Sequence, residues 1–204
     1  METTPAIISS ARLDLIPLAP AFMEASLRGD HALAQRLLGL TIPADSVMKH
    51  SLLERRLGQL RAQPGLVPWL QPWLLRAMGL RGQRLMVGHI GFHTAPGPEY
   101  LRDIAPGAVE YGYTVYPPYR RQGFAREAAA ALMRWAHREQ QVARFVLTIS
   151  PDNRPSVRLA ESFGFARVGS HIDEVDGLED IYLLDYIERL DMQAQSPRPE
   201  PESG

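Results

Sequence analysis

The stretch of this chain richest in chemistry is Tyr113-Thr-Val-Tyr-Pro-Pro-Tyr-Arg-Arg-Gln-Gly-Phe-Ala-Arg-Glu127. An extended run ends at Pro117 and Pro118, which cannot continue a ladder. A turn made of Arg120, Arg121, Gln122, Gly123, Phe124 and Ala125 then opens a long helix. The first turn of a helix carries backbone N–H groups with no intrahelical acceptor and a partial positive charge, and the two together suit a phosphate. Gly123 keeps side-chain bulk away from such a ligand. Arg120, Arg121 and Arg126 add charge that a pyrophosphate can use. A helix with a solvated basic start is the plainer alternative, and a short glycine motif does not by itself decide between them.

The elements that must hold this turn are read from periodicity. Residues 11–18 make an opening strand, with Leu13 and Leu15 on one side. Pro20 suits a helix start, Gly29 breaks that helix, and Asp30 caps the next, which runs to Leu38. Ser46 opens a longer helix whose stripe is Val47, Leu52, Leu53, Leu57 and Leu60, closed by Pro64 and Gly65. Strands follow at 84–94 and 108–115, and the second half of 66–79 is a further strand candidate. The segment 124–139 repeats Ala125, Ala128, Leu132, Trp135 and Ala136 at helical spacing. A short buried strand at 144–150, a helix at 153–163 ended by Gly164, and strands at 165–171 and 180–187 complete the order. Residues 1–192 thus read as one α/β (α+β) domain, and the polar, proline-rich segment 193–204 as a disordered tail.

Composition narrows the partners. The net charge is −1, with Lys49 the only lysine, so nothing electrostatic favours nucleic acid or an anionic membrane. The chain has no cysteine and therefore no disulfide, thiol nucleophile or cysteine-based metal site. No apolar stretch approaches the ~20 residues needed to span a bilayer. The first ten residues lack the pattern of a secretory signal, so cytoplasm is the expected compartment.

Two motifs then give the chain a resemblance. The turn matches Arg/Gln-x-x-Gly-x-Gly/Ala at Arg120, Gly123 and Ala125. Farther on come Asn153-Arg-Pro-Ser156, Leu159 and Ser162-Phe-Gly-Phe165. In this order, after strands, they resemble the GNAT acetyltransferases, and the Asn-x-x-Ser pattern is similar to the ribosomal-protein N-terminal acetyltransferase branch. The resemblance covers roughly 84–190, and only the order of elements over 1–80.

What the resemblance implies is specific. The fold would be a mixed, mostly antiparallel central sheet flanked by helices, with two splayed parallel strands. Acetyl-CoA would be the co-substrate, and no metal is implied. Its pantetheine arm would pair with Tyr113, Thr114 and Val115, and an N–H near Val115 would polarise the thioester carbonyl. Backbone amides from Arg121 to Arg126 would hold the pyrophosphate, and Asn153 would bond the pantetheine or acyl region. Many relatives place a tyrosine where this chain has Ala160, so Ser156 would assist the leaving thiolate. Glu110, Asp173 and Glu174 are the carboxylates available to take the amine proton. The catalytic glutamate of another family pattern is replaced by Thr148.

Other motifs lead nowhere. His89 and His93 lie about 13 Å apart if both are on one strand, too far to share an ion, although His93 can lie near a substrate. Trp69 and Trp73 suit either a pocket wall or the core. No nucleophile elbow, Walker loop or Rossmann fingerprint is present. The expected activity is acetyl transfer to a primary amine of a small molecule or a protein N-terminus, by direct attack in a ternary complex. A non-catalytic CoA-binding regulatory or degenerate module is the alternative. Candidate acceptors are a protein N-terminus, a polyamine, an amino acid or an aminoglycoside-like antibiotic, and the protein is expected to be a monomer or homodimer.

Overall fold

The computed structural model describes residues 6–44, 48–173 and 177–185. The chain opens with β1 (Ile8–Ser9) and β2 (Leu13–Pro17), where Leu13 and Leu15 are fully buried. Pro20 stands at the first position of α1 (Pro20–Leu27), as its fixed φ and missing N–H favour. Asp30 caps α2 (His31–Leu38) by accepting the Leu33 amide at 2.9 Å, as expected. The next helix, α3 (His50–Ala62), starts later than the composition suggested and has no side-chain cap. Ser46 and Val47 lie outside the described residues. A short α4 (Val67–Leu70) precedes the hairpin of β3 (Arg76–Leu80) and β4 (Leu85–Phe92).

After β5 (Val109–Val115) come α5 (Phe124–Gln140), β6 (Arg144–Ile149) and α6 (Arg154–Phe163). The chain then folds into the hairpin of β7 (Ala166–Asp173) and β8 (Gly177–Asp185). The last strand begins three residues before the expected 180, at Gly177, which pairs with Asp173 and adopts φ 79°.

All eight strands form one sheet in the order β1-β2-β3-β4-β5-β6-β8-β7. Every pairing is antiparallel except β5 with β6. That parallel pair is short: only Val109 with Phe145 and Glu110 with Val146 are in register. Beyond them the two strands part, and the sheet opens toward the C-terminal end of β5.

Two apolar clusters cover the faces. The larger takes Tyr111, Phe145 and Leu147 from the strands and Phe124, Ala128, Leu132 and Ala136 from α5. Trp73 meets Phe92 at a tilt and Trp135 edge-on within it, at 5.4 Å and 5.2 Å between ring centres. Trp73 is thus core, while Trp69 is on the surface. On the other face Val146 and Ile181 pack with Leu101 and Ala105.

Candidate active site

The opening between β5 and β6 becomes a cavity of about 850 Å³. Its wall includes His93, Glu110, Gly112, Tyr113, Thr148, Asn153 and Ser156, so residues far apart in sequence meet there. The backbone shows which groups face it. His93 N donates to Glu110 O at 2.8 Å and Tyr116 N donates to Val87 O at 3.0 Å. In an antiparallel ladder such bonds recur at alternate residues, so positions 110, 112, 114 and 116 spend their polar backbone groups on β4. Tyr113 and Val115 turn theirs toward the gap. The structure therefore divides the predicted trio: Thr114 is paired to β4, Tyr113 turns its backbone groups to the gap, and Val115 offers its N–H there, its carbonyl being taken by Arg120.

The turn after β5 has the predicted character. Arg121 at φ 63° and Gly123 at φ 80° are both left-handed around Gln122. The first bond of α5 runs from Glu127 N to Gly123 O, and no side chain caps the helix, so the amides of Phe124 and Ala125 have no intrahelical acceptor. This fits a phosphate-bearing ligand. Among the arginines, Arg120 donates to the Val115 carbonyl at 2.9 Å. Arg126 donates to Ser162 Oγ at 2.6 Å and lies over the Phe163 ring, so it bridges α5 and α6.

Arg12, not singled out by any motif, braces the turn from β2. Its Nε pairs with Glu127 Oε2 at 2.7 Å, its Nη1 donates to the Gln122 carbonyl at 3.0 Å, and its guanidinium covers the Phe124 ring. Burial raises the Glu127 carboxyl's affinity for a proton, but the bonds from the Arg12 amide, Ser10 and the Arg12 side chain outweigh this and keep it ionised.

On the α6 side, Asn153 caps the helix, its side-chain oxygen accepting the Ser156 amide at 3.4 Å. Ser156 Oγ accepts a hydrogen bond from the Tyr113 hydroxyl at 3.1 Å. Burial raises the pKa of that phenol, and its bond to Ser156 acts in the opposite direction, so the ring stays a donor. Ala160 is fully buried, leaving its site no room for a ring. A phenol nevertheless reaches the site, from β5 rather than from the helix.

Glu110 stands on the opposite face, since residues three apart on a strand point to opposite sides. It is only 5% exposed. Thr148 Oγ1 donates to it at 2.6 Å and His93 Nδ1 lies 3.4 Å away. Burial alone would push its carboxyl up. The bond and charge of His93, with the bonds from Thr148 and Tyr100, more than offset this and hold it at about 2. Thr148, which replaces a glutamate of a related pattern, thus serves a glutamate on the neighbouring strand.

Asp173 and Glu179 also line the cavity, the latter beside His171 at 3.8 Å. Glu174 lies outside the described residues. His89 is buried against the Tyr116 ring and serves the core; burial lowers its pKa to about 4. Among the described residues no group of three or more acidic or histidine side chains can hold a metal ion. No helix among them is long and apolar enough to cross a membrane.

The pairing of His93 with Glu110 and the side-chain role of Tyr113 had no signal in the motifs. The connection over 94–108 is too irregular to fix the register that joins the first pair, and the second depends on how α6 lies under the sheet.

Known proteins agree with this architecture. The uncharacterized N-acetyltransferase YnaD of Bacillus subtilis (strain 168) is 31% identical over 90 residues, 44% of this chain and 48% of that protein. The chain spans 38% to 61% of the lengths of the curated relatives it matches. A GNAT-family acetyltransferase from Bacillus anthracis superposes with a TM-score of 0.57 at 20% identity, over 89% of this chain and 99% of its own. RimL, a ribosomal L7/L12 alpha-N-protein acetyltransferase in complex with coenzyme A, gives 0.57 at 18% identity over 88% and 98%. At these identities the likeness is one of fold. A family model described as an acetyltransferase (GNAT) domain matches residues 12–166, and the chain belongs to that family.

Proposed function

We propose that this protein transfers the acetyl group of acetyl-CoA to a primary amine, of a small molecule or a protein N-terminus, by direct attack in a ternary complex. The observation that carries the reading is the parting of β5 from β6 beside the uncapped start of α5. One ligand with an extended amide arm and a pyrophosphate matches both features, and coenzyme A has both. RimL, whose fold is similar, was solved with coenzyme A. The arm would pair with Tyr113 and Val115, the pyrophosphate would take the amides around Gly123, and the Val115 N–H would polarise the thioester carbonyl. Ser156, held by Tyr113, would donate to the sulfur as it leaves. The domain would extend over 1–192 and work in the cytoplasm, as a monomer or homodimer.

The ionised, bonded Glu110 and the polar wall across from Ser156 favour turnover over a non-catalytic CoA-binding module. The test is release of CoA thiol from acetyl-CoA over a panel of polyamines, amino acids, aminoglycosides and short peptides. Turnover with at least one amine, with the acetylated amine identified by mass, is the expected result. Tight acetyl-CoA binding without turnover on any of them would leave the binding module as the function.

A further inference from the structure

We propose that His93 is the base that takes the proton of the attacking amine, with Glu110 as its positioning residue; this rests on the acetyl-transfer reading above. Glu110 itself is poorly placed for the task. It is 5% exposed, so an amine cannot reach it without displacing its neighbours. Thr148 and Tyr100 bond it in addition to His93. A carboxylate satisfied in this way stays an anion and gains little by accepting a proton. Its remaining use is to hold an imidazole.

His93 has what Glu110 lacks. Its side chain is 33% exposed and lines the cavity. Nδ1 is the nitrogen beside Glu110 Oε2, at 3.4 Å, so the carboxylate favours the tautomer with the proton on Nδ1 and leaves the Nε2 lone pair available. Nε2 lies against Gly112, where even a Cβ would come within 3.1 Å of it. The absence of a side chain at 112 is what lets the ring lie over β5 beside the gap.

The main chain of His93 is fixed at both ends. Its N–H is bonded to Glu110, and its carbonyl accepts from Arg56 Nη1 at 2.7 Å and Gln59 Nε2 at 2.9 Å. Other charged or titratable groups around it are Lys49 just before α3, Arg55 and the buried Arg56 on α3, Tyr100, and His171, Asp173 and Glu179 on the far wall.

The two faces of the sheet thereby separate the two proton transfers. The amine nitrogen forms a bond to the acetyl carbon as its proton passes to Nε2 of His93. The carbon–sulfur bond breaks, its electron pair goes to sulfur, and the thiolate is met by Ser156 and Tyr113 from the other face. The imidazolium returns its proton to solvent.

The experiment uses the full chain, acetyl-CoA and the best amine of the panel. His93→Ala and His93→Gln should lower kcat by about 10²-fold, reduce the acid limb of the kcat/KM profile to the amine's own ionisation, and leave acetyl-CoA affinity within twofold. Glu110→Gln should lower kcat less and keep the enzyme's ionisation on that limb. Hydroxylamine, which is largely neutral at pH 7, should lose much less rate than an alkylamine in the His93 variants. An unchanged alkylamine rate in a folded His93→Gln, or an acid limb that still shows an ionisation besides the amine's own, overturns the assignment. The parent protein gives a test that does not depend on variants: nitrogen NMR of neutral His93 should show the proton on Nδ1, and a proton on Nε2 overturns it. Absence of turnover in the parent with every amine would instead overturn acetyl transfer itself.

Discussion

The Tyr113 hydroxyl on β5 donates to Ser156 Oγ on α6 across 3.1 Å, bridging the two walls of the gap. Because the phenol gives its proton to Oγ, the serine's own hydrogen is released to point elsewhere. Ser156→Ala should therefore lower turnover at saturating acetyl-CoA, at or below the low end of the ~10²–10⁴ range for acid catalysis, with cofactor affinity nearly unchanged. Tyr113→Phe should give a smaller loss in the same direction. A Ser156→Ala rate within twofold of the parent, with chemistry rate-limiting, would mean that water protonates the thiolate.

Gly123 combines a left-handed backbone with a position at the uncapped start of α5, where we place the pyrophosphate. A Cβ at this φ costs roughly 1–2 kcal/mol of stability, and it would also come to 3.4 Å from Arg12 Nη2. Gly123→Ala and Gly123→Val should thus both lower Tm. Only the valine should add a steric block, weakening acetyl-CoA binding at least about tenfold, or ~1.4 kcal/mol. Calorimetry on the folded variants checks this, and equal affinities for parent and valine variant would remove the phosphate from this turn.

Arg12 reaches the same turn from outside the motif. Arg12→Ala removes the ion pair with Glu127 and the bond to the Gln122 carbonyl together. Acetyl-CoA affinity should fall several-fold while kcat changes little, because the brace orders the turn and does not touch the reacting atoms. Isothermal titration of the variant reads the effect.

Asn153 can be separated into two roles by two substitutions. Asn153→Ala loses the cap of α6 and should cost about 1 kcal/mol of stability. Asn153→Asp keeps an accepting oxygen for the Ser156 amide but loses the side-chain N–H donors. Its stability should match the parent, and its acetyl-CoA affinity should fall if the amide meets the pantetheine arm. Denaturant unfolding and calorimetry together distinguish the outcomes.

His89 predicts a pH dependence of stability. Its pKa is about 4 in the fold, because burial disfavours the cation, against about 6.5 for a free imidazole. The unfolded chain binds the proton more readily between these values, so stability should fall as pH drops from 6.5 to 4. Above pH 6.5 the group should have no effect. His89→Phe should flatten that part of the curve. Glu110, held at about 2, acts below it: its contribution is complete above the usual carboxylate value and is lost as pH falls toward 2.

Local chemistry was legible in the sequence, and long-range pairing was not. Asp30, Gly164, Pro20 and Gly123 each act on neighbours a few residues away, so their roles follow from type and position alone. The strands followed from periodicity, and the parting of β5 from β6 from the family resemblance. The pairs Arg12–Glu127, His93–Glu110 and Tyr113–Ser156 depend on register, on an irregular connection and on how a helix lies under the sheet. Ala160 illustrates the difference: its identity excludes a ring at that place on α6, yet nothing nearby in sequence announced that the Tyr113 hydroxyl would reach Ser156. Thr114 shows what a run of residues leaves out: three in a row read as one edge, while the ladder assigns the backbone groups of alternate residues to opposite neighbours.

The seam where β5 meets β6 has a mechanical consequence. Two residue pairs are all that carry the ladder across the middle of an eight-stranded sheet. Hydrogen-bonded cooperativity is therefore interrupted there, with β1 to β5 on one side and β6 to β8 on the other. Such a seam is a place for local opening, with free energy well below that of global unfolding. An extended arm laid along Tyr113 and Val115, as proposed above, would act as a splint over the weak join. Binding should slow amide exchange far from the arm, on β6 and β8, and raise Tm by mass action. The ligand is then a structural member of the sheet for as long as it stays.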